Sequence, residues 1–148
     1  MKQHSSLGSS DAQLAIQVIA SELTKRGKAA VVAVVDDHGE LIGLLRVDGA
    51  PLSSIVIATN KAWTAARERK SSFELGQASR DPKTGFDFAF YGDSRYIGWG
   101  GGVPVVVDGT VAGAIAVSGL VTEEDMELAQ MAVDAVLAAI GRAPSGAA

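Results

Sequence analysis

Apolar residues recur at helical spacing in three long segments of the chain. In residues 11–26 the apolar positions lie three or four apart and therefore share one helix face: Ala12, Ala15, Ile16, Ile19 and Leu23. The same spacing predicts helices over residues 51–69 and between Thr122 and Gly141, and a short helix over residues 71–78. Proline at the start of the second helix and glycine at the end of the last suit those positions.

Short apolar runs rich in valine separate these helices and predict strands. Residues 29–36 and 40–47 flank a three-residue turn, and residues 103–107 and 110–118 flank an Asp-Gly pair that favours a tight turn. Because these connections are too short for a crossover, both pairs are expected to be antiparallel hairpins. The order helix, hairpin, helix, loop, hairpin, helix predicts an α+β fold with an antiparallel sheet.

Length and composition narrow the class of protein. The 148 residues predict one domain at 11–141, between a flexible leader at 1–10 and a flexible tail at 142–148. The net charge of −4 and the lack of a basic block make nucleic acid an unexpected partner. No apolar run reaches the roughly 18 residues of a membrane span, so no membrane partner is expected. The absence of cysteine rules out a thiol nucleophile and favours a cytoplasmic location.

Aromatic residues concentrate in the irregular stretch 79–92, which holds Phe86, Phe88, Phe90 and Tyr91. One interpretation is that these rings cover a pocket or a neighbouring subunit; the other is that they plug the edge of the core. Together with Trp63 and Trp99 they form more apolar surface than a small monomer exposes. A homo-oligomer, at least a dimer, is therefore predicted.

The stretch GWGGGVPVVVDG, residues 98–109, is rich in glycine. A phosphate-binding loop is disfavoured because a strand follows the glycines, whereas such loops precede a helix. Two interpretations stay open. The bare backbone lets a neighbouring element approach, or a flat ligand lies against it and accepts hydrogen bonds from the N–H groups of Gly101 and Gly102.

Four segments carry a resemblance to a known family: VAVVDDHGELIGLLRVDGA (32–50), KAWTA (61–65), GGVPVVVDGTVAGAIAVSG (101–119) and EEDMELA (123–129). In order and spacing they resemble the GlcG/HbpS-like family, which includes the C-terminal domain of PduO proteins. The resemblance covers about residues 11–140. It implies a profilin-like α+β fold with a five-stranded antiparallel sheet and packed helices. It also implies dimers or larger assemblies such as octamers, and haem binding in some members.

Arg46 and Asp48 stand at the end of the second predicted strand, where residues two apart share a face. A structural ion pair is one interpretation. The other is a ligand anchor, because a guanidinium group can hold a carboxylate through two parallel bonds.

Lys61 lies in the second predicted helix, beside the stripe that Ala58, Ala62 and Ala65 form. A solvated lysine is one interpretation. The other is a partly buried lysine beside Asp48 that binds an anion or transfers a proton.

Ser118 and Asp125 border the last turn before the final helix. The serine-elbow pattern G-x-S-x-G fails because residue 116 is alanine, so Ser118 is expected to offer a hydroxyl to a ligand or to cap the strand. Asp125 lies in the first turn of the last helix, where a carboxylate stabilises the helix dipole.

The two histidines of the chain, His4 and His38, give little support for a metal or cofactor. His38 follows Asp36 and Asp37, but adjacent residues do not converge easily on one ion, so no metal is predicted.

The resemblance to PduO proteins implies that a haem-ligating histidine would be sought in the first helix. The first predicted helix of this chain contains no histidine, so no cofactor is predicted. Haem stays open as an alternative, and its candidate ligands are few: His38, Met126, Met131, a tyrosine or His4.

These residues together predict a small-molecule-binding protein with a pocket for an anionic or flat organic ligand. Its expected ligand-binding residues are Arg46, Gly101, Gly102 and Ser118.

The main alternative is a cofactor-independent isomerase, hydratase or lyase, and haem binding is a second alternative. The expected catalytic residues of such an enzyme are Lys61, Asp48 and Tyr91. Proton-transfer chemistry predicts that a lysine and a carboxylate converge on one cavity.

Overall fold

A computed structural model describes residues 1–141 of the chain. Four α-helices and four strands follow one another, with a short 3₁₀ helix at Phe88–Tyr91 in the loop before β3. Their bounds are α1 Ser9–Arg26, β1 Val31–Asp36, β2 Leu41–Arg46, α2 Ser54–Glu68, α3 Ser72–Ser79, β3 Gly102–Val107, β4 Thr110–Ser118 and α4 Thr122–Ala139. The α+β class and both hairpins are confirmed.

The strands form one antiparallel sheet in the order β2-β1-β4-β3. The expectation of five strands, which came from the family resemblance, is wrong for residues 1–141. The segment between α3 and β3 adds no strand because Pro82, Gly85 and Gly92 interrupt it. The apolar runs themselves had predicted the four strands that are present.

Helices cover both faces of the sheet, and β1 is therefore buried almost throughout. One face packs Val32, Val34 and Ile115 in a core shared with α1 and α4. The opposite face packs Val31 and Ala33 against the alanines of α2. In this three-layer arrangement, one side of α2 packs against the sheet. The opposite side of α2 faces away from the sheet.

The loop before β3 covers the outer side of α2. The Trp63 ring meets Tyr96 edge-on at 4.7 Å between centroids, and the Thr64 hydroxyl accepts a hydrogen bond from the Ile97 N–H at 3.1 Å. All residues from 61 to 66 are buried as a result. Trp63, expected among the exposed aromatics, is 2% exposed, whereas Phe90 and Trp99 are exposed.

The residues before α1, predicted as a flexible leader, contact the sheet in this structure. The Leu7 side chain is buried, and the Leu7 N–H donates to the Ala112 carbonyl at 2.8 Å. The side chains of His4 and Ser6 both contact the Asp37 carboxylate. The predicted tail at 142–148 lies outside the described residues. Within residues 1–141, the helices lack the combination of length and apolar character needed to cross a membrane.

Candidate functional site

A lysine and a carboxylate meet inside the protein where α2, β4 and α4 come together. The Lys61 Nζ lies 3.1 Å from the Asp125 Oδ2, and both residues are 3% exposed. Lys61 also donates to the Val117 carbonyl, at 3.1 Å. The interpretation of Lys61 as a solvated lysine is therefore wrong, and its partner is Asp125 rather than Asp48.

Local structure on each side holds this pair. Lys61 sits in the middle of α2, where small neighbours let the helix approach the sheet. Asp125 lies in the first turn of α4, and its Oδ1 accepts a hydrogen bond from the Leu120 N–H at 3.1 Å. The carboxylate thus ties the β4–α4 connection to α2. Asp125 was expected only to stabilise the dipole of the last helix, whereas in the structure it also pairs with Lys61 and binds the Leu120 N–H.

Burial shifts the protonation equilibria of both groups. Burial raises the pKa of Asp125, and the charge and hydrogen bond of Lys61 oppose this rise. Burial lowers the pKa of Lys61, and Asp125 opposes that fall. The neutral and charged forms of the pair are therefore closer in free energy than in water.

A cavity of about 240 Å³ opens beside the pair. Its lining is mostly polar or glycine: Ser54, Lys61, Trp99, Ser118, Gly119, Leu120, Thr122 and Asp125. An ammonium group has three N–H donors, and protein acceptors take two of those of Lys61. The hydroxyls of Ser54 and Ser118 make no hydrogen bond with another residue of the described part of the chain. The cavity therefore offers one ammonium donor and two hydroxyls to a guest.

Arg46 and Asp48 are exposed and do not line this cavity. Strand pairing puts Arg46 and Ser118 opposite Val31 on either side of β1, so Arg46 is two strand spacings, about 10 Å, from Ser118. Neither residue forms an ion pair with the part of the chain that the structure describes. The structural ion pair interpretation thus finds no support here, and their role as ligand anchors stays a prediction.

Tyr91 does not line the cavity and lies in the aromatic-rich stretch 79–92. Its ring stacks on Phe86 at 5.4 Å and meets Tyr96 edge-on at 4.5 Å between centroids. Burial raises the pKa of Tyr91, and the nearby Glu68 adds to this rise. The geometry does not bring this phenol to Lys61, and its catalytic role stays a prediction.

Gly101 and Gly102 lie against Lys61 itself. A Cβ at Gly101 would lie 2.8 Å from the Lys61 Nζ, and one at Gly102 would lie 2.2 Å from the Lys61 carbonyl oxygen. The Gly102 N–H already donates to the Ser72 hydroxyl at 2.9 Å. The bare backbone at these two positions therefore serves close packing on α2. Of the other predicted ligand-binding residues, Ser118 does line the cavity.

Asp36, Asp37 and His38 lie away from this cavity, in the β1–β2 turn. Contrary to the expectation for adjacent residues, their ligand atoms lie within 4.8 Å of one another. Asp36 nevertheless uses its Oδ1 to accept from the N–H groups of His38 and Glu40, which closes the turn. One oxygen of the Asp36 carboxylate is therefore already used in closing the turn.

The fold and the site define a small α+β protein with a buried lysine–aspartate pair beside a polar cavity. Residues 7–134 match the family model described as "Haem degrading protein HbpS-like". The chain therefore belongs to the HbpS-like family, and the resemblance found in the sequence is confirmed. Protein GlcG of Escherichia coli K12 is 36% identical over 109 residues, which cover 72% of this chain and 78% of GlcG.

Solved structures agree with this assignment. Protein ORFY of Klebsiella pneumoniae matches with a TM-score of 0.87 and 32% identity, covering 93% of this chain and 95% of that one. A crystal structure described as the PduOC:heme complex matches with a TM-score of 0.81 and 27% identity, covering 88% and 94%. The fold of the present chain is thus one on which a relative has been crystallised with haem.

The residues at the Lys61 cavity do not fit a haem group. Its lining contains no histidine, cysteine or methionine that would serve as an axial ligand. Benzene already needs a cavity of about 150 Å³, so about 240 Å³ cannot enclose a tetrapyrrole. His4 lines a wider groove of about 680 Å³, but its Nε2 contacts the Asp37 carboxylate.

Replacing Lys61 by methionine should destabilise the fold in a pH-dependent way. Without Lys61, only the backbone hydrogen bonds from Leu120 and Gly119 oppose the burial that raises the pKa of Asp125. A carboxyl group whose pKa is higher in the folded than in the unfolded protein is protonated in both states at low pH, where its burial costs no stability. The folded state loses stability as the pH rises from the unfolded pKa through the folded pKa. Urea unfolding should therefore show a larger loss relative to wild type at about pH 8 than at about pH 5, approaching about 3–5 kcal/mol.

Lys28→Met is the matched control, since Lys28 forms an exposed pair with Glu124. Its loss should stay within about 0–1 kcal/mol. A Lys61→Met penalty of the same size at both pH values would contradict the assignment of Asp125 as the buried partner.

Proposed function

We propose that this protein binds a small anionic organic molecule in the cavity beside Lys61 and Asp125. The observation that carries the proposal is the Lys61 ammonium, which has two of its three donors held by Asp125 and Val117. The third donor is left for a guest. A hydrogen bond from a charged group in a buried site contributes about 1.5–3 kcal/mol.

The surroundings of Lys61 suit a carboxylate. The hydroxyls of Ser54 and Ser118 can donate to its oxygens, and α4 begins at Thr122, with the positive end of its dipole at the cavity. The volume of about 240 Å³ is below the roughly 300–1,000 Å³ of pockets for drug-sized ligands. The ligand is therefore a molecule of few heavy atoms.

A second candidate function is proton-transfer catalysis, as in an isomerase, hydratase or lyase. The observation that favours it is the convergence of Lys61 with a carboxylate on one cavity, at 3.1 Å. Asp125 would remove a proton from a carbon next to a carbonyl group, and the Lys61 ammonium would stabilise the charge that develops on the carbonyl oxygen. Neither step needs a cofactor.

Several expectations remain proposals beside this one. The exposed side chains of Phe90 and of Val56 on α2, with Leu52 just before that helix, support a homo-oligomer. Arg46 and Asp48 stay candidates for an outer contact with a ligand. Haem binding elsewhere on the protein rests on the likeness to the PduOC complex and on the description of the family model. A cytoplasmic location rests on the absence of cysteine.

Binding can be tested with carboxylates matched to their neutral amides, such as lactate with lactamide. In two-dimensional amide NMR, lactate should shift the signals of Gly119, Leu120 and Thr122, whereas lactamide should not. Lys61→Met should weaken carboxylate binding about ten- to a hundredfold, because it removes the charged donor. Ser118→Ala should weaken it less and leave the fold intact.

Lys28→Met again serves as the control, since its lysine lies outside the cavity. Equal binding of acid and amide, or an equal loss in both lysine variants, would overturn the proposal.

Catalysis can be separated from binding by isotope exchange. If Asp125 is the base, the protein should speed the replacement of the C3 protons of 2-oxobutyrate by deuterium in heavy water, followed by proton NMR. Asp125→Asn should abolish the acceleration over buffer, while binding of the acid persists. If wild-type protein binds 2-oxobutyrate but the exchange runs at the buffer rate, the protein is a binding protein and this second function is refuted.

A further inference from the structure

The cavity beside Lys61 has both charged and apolar lining residues. Lys61 and Asp125 are the charged ones, and Trp99 and Leu120 are the apolar ones. Trp99 is 61% exposed, although a tryptophan side chain is largely buried in most proteins. A large aromatic residue that is left open beside a charged cavity is the kind of surface that a ligand covers.

The glycines around Trp99 leave it as the one position between 98 and 102 with room for a side chain. A Cβ at each of the other four positions would lie less than 3 Å from another atom, closer than real Cβ atoms approach. The nearest atoms are the Gly76 Cα at 2.6 Å from Gly98, the Met126 Sδ at 2.7 Å from Gly100, the Val117 oxygen at 2.5 Å from Gly101 and the Lys61 oxygen at 2.2 Å from Gly102.

Hydrogen bonds hold the backbone of this segment in place. The Ser72 hydroxyl donates to the Trp99 carbonyl at 2.7 Å and accepts from the Gly102 N–H at 2.9 Å. Ser72 is itself fully buried at the start of α3. The backbone that carries the indole is thus fixed before any ligand arrives, which lowers the entropy lost on binding.

Resting on the proposed carboxylate site, we infer that the ligand is a small aromatic carboxylate whose ring stacks on Trp99 while its carboxylate meets Lys61. Aromatic rings pack on tryptophan with an attraction beyond the burial of area. The size agrees, because benzene needs about 150 Å³ and the cavity of about 240 Å³ leaves space for a carboxylate as well. A saturated ring of similar size lacks the flat face that stacking requires.

Tryptophan fluorescence offers a direct test, because the chain has two tryptophans and Trp63 is buried. Trp63→Phe leaves Trp99 as the reporter. The probes are benzoate, cyclohexanecarboxylate, acetate and benzamide. Benzoate should quench Trp99 and bind tighter than cyclohexanecarboxylate and acetate. Calorimetry on Trp99→Leu in the wild-type background should show a loss for benzoate of about two- to tenfold and little change for acetate.

The outcomes separate this inference from the proposed function. Equal affinities for benzoate and cyclohexanecarboxylate, both dependent on Lys61, would overturn the aromatic ligand and leave the carboxylate site standing. Binding of benzamide as tight as benzoate, with no effect of Lys61→Met, would overturn the carboxylate site itself. Because Trp99 is exposed, the Trp99→Leu variant is expected to fold. A melting temperature equal to that of wild type would confirm this.

Discussion

The buried ion pair between Lys61 and Asp125 connects three elements that would otherwise only touch. It joins the middle of α2 to the first turn of α4, and through the Val117 carbonyl it reaches the end of β4. Burying two charges costs free energy that their attraction only partly returns. Replacing such a pair by well-packed apolar residues is often neutral or stabilising. The charged pair is therefore better explained by what it presents to the cavity than by stability.

The glycine-rich segment 98–102 complements this pair. Its bare backbone lets the chain pass directly over α2, and a side chain at Gly101 or Gly102 would collide with Lys61. The same close packing keeps Trp99 at a fixed place on the cavity. One glycine segment thus permits both the burial of the lysine and the exposure of the indole.

Local patterns in the sequence predicted the helices and both hairpins, because periodicity and turn residues act over a few positions. They did not predict that Lys61 is buried, since the loop that covers α2 comes from about thirty residues further along. The pairing with Asp125 joins residues 64 positions apart, and nothing local indicates it. One signal was present: the residues after Lys61, AWTAA at 62–66, are small or apolar on all sides of the helix, which is typical of a helix buried all round.

The central claim is that Lys61 and Asp125 serve ligand binding rather than folding, and a double-mutant cycle tests it most directly. Lys61→Met and Asp125→Leu should each destabilise the protein, because each leaves one buried charge unpaired. The double variant should recover most of the free energy of unfolding, as in other cases where apolar residues replace a buried pair. Carboxylate binding, measured by calorimetry on the recovered double variant, should remain absent. A double variant that binds carboxylates as tightly as wild type would contradict the account.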